Sequence, residues 1–139
     1  MRLWHEDLIK KLPRMQLQGM IREIPAMRGK GWGKKHSTVD YVFEHDMEKL
    51  VAFHQLVIKE FKKRCHNSDP IWEEYTYRGK RADRNYDIVP LRVDQYLMQS
   101  ENIYPEHNDQ YLEECINNLM EKGVVCKFFK KFLDREIVS

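Results

Sequence analysis

Nowhere does the sequence run to the roughly 18 consecutive apolar residues that a membrane-spanning helix requires. Its opening, MRLWHEDLI, carries acids too early and lacks the apolar stretch of a secretory leader, so no signal peptide is expected. Cysteine is scarce. Cys65, Cys115 and Cys126 form no CxxC and no even-numbered framework, which points to reduced thiols in a cytoplasmic protein. The six histidines include no HExxH and no pair three to five residues apart, so neither a metal nor a cofactor is expected. No GxSxG elbow occurs, and no cysteine sits in a nucleophile signature. The glycines before Gly33-Lys34 lack P-loop spacing, and Lys35 stands where that motif needs Ser or Thr. A large excess of charge is missing too: 24 Lys and Arg face 22 Asp and Glu, a net charge of +2, which excludes a generically polycationic nucleic-acid binder.

What is present is helical periodicity and segregated charge. The stretch Leu12 to Lys35 reads as a helix that runs into a basic, glycine-rich loop. Pro13 suits a first turn, where its missing N–H has no partner to lose. Leu17, Met20, Ile21, Ile24 and Met27 recur at three-and-four spacing and form the expected buried stripe. Gln16, Gly19, Glu23 and Ala26 lie along another line of the cylinder, where two small residues beside Glu23 leave a shallow face. Pro25 removes one helical hydrogen bond and is expected to bend the helix just past Glu23. Arg22-Glu23 before a bend and a cationic loop suggests a site for a phosphate-bearing substrate; a surface Arg-Glu pair is the plainer alternative.

The rest of the chain is organised around that helix. Leu3, Trp4, Leu8 and Ile9 are expected to tuck the lead-in onto the body and hold the terminal amine in place. Arg28, Lys30, Lys34 and Lys35 fall in a window with no acid, and Trp32 either stacks or packs. A short turn over Val39 to Phe43 is followed by a second helix from about Asp46 to Cys65, on which His54 reads as a core histidine. Residues 67–102 are the least regular third, with a second basic cluster at Arg78, Lys80, Arg81 and Arg84; Val89 to Met98 fits a strand or a helix. A third helix is capped by Asn108 and stopped by Gly123, and the tail repeats helical spacing through Phe128, Phe129 and Phe132. The expectation is a mainly α, compact single domain over residues 1–139, with three to four packed helices and long irregular connections.

An acid on a helix, neighbouring arginines and an amine permit one further chemistry. Only a neutral amine attacks a carbonyl-like carbon. An α-amine near pKa 8 has roughly a few hundred-fold more neutral form at neutral pH than a lysine.

The run Leu12-Pro13-Arg14-Met15-Gln16-Leu17-Gln18-Gly19-Met20-Ile21-Arg22-Glu23-Ile24-Pro25 resembles the first helix of the pyrimidine-dimer DNA glycosylase and AP lyase family, the phage endonuclease V-like enzymes. The Arg-Glu-aliphatic-Pro sequence is its most specific part. The resemblance continues weakly over Lys49 to Asn67 and returns at Ile103-Tyr104-Pro105-Glu106-His107, leaving the middle third uncovered. It implies a compact, mostly helical, metal-independent enzyme acting on double-stranded damaged DNA. Such an enzyme cuts the glycosidic bond of a pyrimidine dimer and then nicks the strand by β-elimination. It implies that Glu23 is the catalytic carboxylate and that the α-amine of Met1 attacks C1′ of the sugar. Arg2 and Arg22 bind flanking phosphates, and Arg28, Lys30, Lys34 and Lys35 extend the cationic groove. A cytoplasmic monomer with no membrane association is the expected form.

The departures are specific. Met1-Arg2 stands where the family exposes a threonine amine followed by an arginine, so Met1 takes the threonine's place. Gln16 replaces a histidine, and Ala26 replaces an arginine for which Arg28 is the expected substitute. Two other classes fit the composition: a non-catalytic nucleic-acid-binding domain on the same scaffold, and a module whose charged faces bind another protein.

Overall fold

The computed structural model describes residues 2–29, 40–80 and 82–123. Five α-helices follow a short 3₁₀ turn at Glu6–Leu8: α1 (Arg14–Arg28), α2 (Asp40–Glu44), α3 (Met47–Lys63), α4 (Pro90–Met98) and α5 (Asp109–Glu121). A second 3₁₀ turn, Pro70–Glu73, lies between α3 and α4, and there is no strand among the described residues. The mainly α expectation holds. Residues 90–98, open to either reading in sequence, are helical, with Pro90 in the first turn where it loses no hydrogen bond. Lys30, Lys34, Lys35, Trp32, Arg81, the tail from 124 onward and Met1 lie outside the described residues.

α3 is the centre of the packing and meets α1, α2 and α4. Its Leu50, Val51, Phe53, Val57 and Phe61 are buried, as are Leu17, Met20, Ile24 and Met27 of α1. Ile21, expected on the stripe, is only half-buried. Leu112, Cys115, Ile116 and Leu119 of α5 complete the core with Leu3, Leu8 and Leu12 of the lead-in. Fully burying side chains of this size stabilises by about 1.5–3 kcal/mol each, which offsets the entropy of ordering long connections. Asn108 accepts from the Tyr111 amide at 2.9 Å and caps α5, and Gly123 follows its end at φ 79°.

The lead-in is bonded as well as buried. The Glu6 amide donates to His107 Nδ1 at 3.0 Å, and Glu6 Oε1 accepts from the Ile103 amide at 2.9 Å. Because Nδ1 accepts, the neutral His107 ring carries its proton on Nε2 and donates it to the Tyr41 hydroxyl, 2.9 Å away. Burial, then the nearby His5, pushes the His107 pKa down to about 3. At the other end of the lead-in, Arg64 donates to the carbonyls of Ile9 and Leu12. These bonds set where residue 2 enters the body.

Candidate active-site cleft

Gln16, Gly19 and Glu23 recur at three-and-four spacing on α1, so one face of the helix presents all three. They form one wall of a cleft of about 380 Å³. Arg2 and Trp4 of the lead-in line it from a second side, and Asn118 and Lys122 from α5 and its end. Nothing lies within 4 Å of where a Cβ on Gly19 would sit, so the floor beside Glu23 is open. The shallow face expected from the sequence is present.

Glu23 is half-buried and has no hydrogen bond or ion pair among the described residues. In two other depressions Glu73 is engaged by Lys62 at 3.0 Å, Glu60 by Arg64 at 2.9 Å, and Glu6 by the Ile103 amide, whereas Asp83 in a third has no such partner among the described residues. Arg22 and Glu23 form no ion pair with each other among the described residues. Arg22 is exposed and turned off the cleft.

Cations sit at the cleft's edge on aromatic faces. The Arg2 guanidinium is 5.8 Å from the Trp4 ring centre and 5.9 Å from that of Tyr111. Lys122 Nζ lies 5.4 Å from the Trp4 ring. Cation–π contact of this kind orients a charge without neutralising it, so both remain able to meet an anion. Beneath Arg2, burial raises the Tyr111 and Cys115 pKa values, which keeps those groups neutral at physiological pH.

The structure corrects one proposed contact. Arg28 does not extend a cationic groove: it is 1% exposed. Its NH1 lies 2.9 Å from His54 Nδ1 and 2.8 Å from the Trp72 carbonyl, while NH2 donates to the carbonyls of Glu74 and Tyr75. The guanidinium also stacks 5.1 Å from the Trp72 ring centre. Burial without a carboxylate lowers its pKa to about 10. His54, a core histidine as expected, is held well below its usual pKa by burial and by the Arg28 charge. Arg28 therefore fastens the end of α1 to residues 72–75, which Arg78 reinforces by donating to the Arg28 and Gly29 carbonyls at 3.2 Å.

Among the residues expected to act, Arg2 and Glu23 thus come together. Met1, Lys30, Lys34 and Lys35 lie outside the described residues. Trp4, Asn118 and Lys122 were not anticipated. Asn118 sits on the polar side of a helix whose apolar stripe explains the rest of its pattern, and no local signal marks it for a site on α1.

Among the described residues, no cluster of three or more His, Cys, Asp or Glu could hold a metal ion, and no helix is long and apolar enough to cross a membrane. Neither a curated protein nor a solved structure matches the chain. A family model described as pyrimidine dimer DNA glycosylase matches residues 1–74, just over half of the sequence. The matched part carries the lead-in, α1, α2 and α3, and with them Arg2, Gln16, Gly19 and Glu23. Asn118 and Lys122 lie beyond it. With that match over more than half of its length, the chain belongs to the pyrimidine dimer DNA glycosylase family.

Proposed function

We propose that this protein excises UV-induced pyrimidine dimers from double-stranded DNA and then cleaves the strand as an AP lyase, through an amine at Met1 and the carboxylate of Glu23. The observation that supports this most is the Glu23 carboxylate, which has no hydrogen bond or ion pair among the described residues, in the same cleft as Arg2. Met1 adjoins Arg2 in the chain, and the lead-in from Leu3 to Glu6 is held by bonds with His107, Ile103 and Tyr111. Arg2, Arg22 and Lys122 meet phosphates flanking the lesion, and Lys30, Lys34 and Lys35 extend that contact.

The chemistry balances without an external oxidant or reductant. The neutral amine attacks C1′, and the C1′–N bond breaks with its electron pair leaving on the base. The ammonium so formed passes one proton to the departing base, the nitrogen lone pair then opens the C1′–O4′ bond to a protonated imine, and O4′ takes up a proton. Glu23 stabilises the cationic sugar and assists these transfers. Loss of a C2′ proton expels the 3′ phosphate by β-elimination, and water hydrolyses the imine to free the enzyme. Unstacking the target costs least where the duplex is already damaged.

Borohydride trapping tests the proposal. Protein with an untagged N-terminus is mixed with duplexes carrying a thymine dimer or an abasic site, and the adduct is mapped by mass spectrometry. The expected result is an adduct on the Met1 amine with both substrates. Adducts on abasic DNA alone would keep the lyase and remove the glycosylase. No adduct on either would leave a binding domain on the same scaffold.

A further inference from the structure

Between the second 3₁₀ turn and α4, Tyr77, Lys80, Asp83, Arg84 and Tyr86 line a depression of about 780 Å³. All five lie beyond residue 74, where the family match ends, and none of them lines the cleft that holds Glu23.

The fold orders this segment by itself. Arg28 stacks 5.1 Å from the Trp72 ring centre, and Trp72 meets Tyr77 edge-on at 4.7 Å between centres. The Arg84 guanidinium then lies 5.5 Å from the Tyr77 ring centre and pairs with Glu74. The Asn85 amide closes the loop by donating to the Thr76 carbonyl at 2.8 Å. A surface held in this way loses little entropy when it binds.

Its position joins it to a second basic segment. Arg78 donates to the carbonyls of Arg28 and Gly29, and a Cβ on Gly29 would stand 2.9 Å from the Arg78 oxygen. Lys30 follows Gly29 in the sequence, so the depression lies beside the point where the acid-free stretch begins.

The side chains left over suit phosphate. Lys80 and Tyr86 are exposed, Tyr86 at 81%, and neither has a hydrogen bond or ion pair among the described residues. Arg84 uses one nitrogen on Glu74 and keeps further donors. Lysine, arginine and tyrosine hydroxyls are donors that duplex backbones collect. Asp83 stands among them without a partner and opposes an anion.

We propose that Lys80, Arg84 and Tyr86 form a second DNA contact, which binds backbone phosphates of the duplex outside the Glu23 cleft. The inference rests on the glycosylase reading and adds to it where the undamaged part of the duplex is held.

The test measures affinity of the full chain for an undamaged duplex across a salt series, for wild type and four variants. Lys80→Ala should reduce the slope of log affinity against log salt by about one. Tyr86→Phe should weaken binding about threefold, the low end for one hydrogen bond. Asp83→Asn should tighten binding about two- to fivefold, the scale of one screened charge near a phosphate. Lys59→Ala, which removes the same charge from a depression on α3, should match wild type. Melting temperatures should stay at the wild-type value, since Lys80, Asp83 and Tyr86 are exposed. A wild-type slope for Lys80→Ala, an equal change in Lys59→Ala, or no gain in Asp83→Asn would overturn the contact. Borohydride trapping by wild type on abasic DNA runs in parallel. The expected binding changes with no trapped adduct would keep the contact and remove the lyase.

Discussion

Tyr111 on α5 donates its hydroxyl proton to the carbonyl of Leu3 at 2.6 Å, and the same ring lies 5.9 Å from the Arg2 guanidinium. One aromatic residue from the far end of the described chain thus fixes both the backbone of the lead-in and a cation of the cleft.

Tyr111→Phe keeps the ring and removes that bond, leaving the carbonyl of a fully buried residue without a donor. The variant should lose about 1–3 kcal/mol of stability by urea denaturation. Adduct formation on abasic DNA should slow while equilibrium DNA affinity holds, because the cation–π contact survives. Equal slowing of binding and trapping would deny Tyr111 a role in placing the lead-in.

Arg28→Lys is not conservative here. One ammonium cannot satisfy His54 Nδ1 and the carbonyls of Trp72, Glu74 and Tyr75 at once. Stability should fall by about 3 kcal/mol or more, as when a buried charged network loses its central partner. The exposed Arg22 behaves oppositely. Arg22→Ala should leave stability nearly unchanged and reduce the slope of log affinity against log salt by about one.

His107 makes stability depend on acidity. Its pKa is about 3 in the fold against 6.5 for a free imidazole side chain, so between those values the unfolded chain binds the extra proton. The stabilisation is fully present above pH 6.5 and is lost as pH falls toward 3, with a slope of up to about 1.4 kcal/mol per pH unit. His54, lowered for the same reason, adds to this slope. Glu6, whose carboxyl is raised by burial, acts in the opposite direction, but it is common to both proteins compared. His107→Gln preserves an acceptor for the Glu6 amide and a donor for Tyr41. Its unfolding free energy should therefore change less between pH 7 and pH 5 than that of wild type.

Gly19→Ala separates stability from activity. A methyl group meets no atom within 4 Å, and alanine is favoured over glycine in a helix interior by about 0.8–1 kcal/mol. The variant should melt higher and yet nick damaged DNA more slowly, because the added methyl occupies the floor beside Glu23. A higher melting point with unchanged nicking would mean that the ligand never approaches Gly19.

Glu23→Gln should abolish base release and leave DNA affinity equal or improved, since a neutral amide replaces an acid facing phosphates. Full activity in this variant would remove Glu23 from the reaction and favour the non-catalytic binding domain.

The sequence alone determined α1, α3 and α5 and their buried faces, because a three-and-four apolar repeat constrains only neighbours on one cylinder; α4 was left open between strand and helix. Leu17, Met20, Ile24 and Met27 on α1, the Asn108 cap and the Gly123 stop were legible for that reason. The line of Gln16, Gly19 and Glu23 was legible too, since a helix fixes the facing of residues three and four apart. Tertiary structure alone decided what that line faces. Asn118 and Lys122 reach the cleft from the opposite end of the chain, a relationship with no local periodicity to announce it. It also decided the fate of Arg28. A cation beside a basic loop reads as a surface charge until the carbonyls of residues 72–75 close around it. Local pattern sets which face of an element is apolar; only packing sets which polar groups from distant elements converge, and convergence is what makes a site.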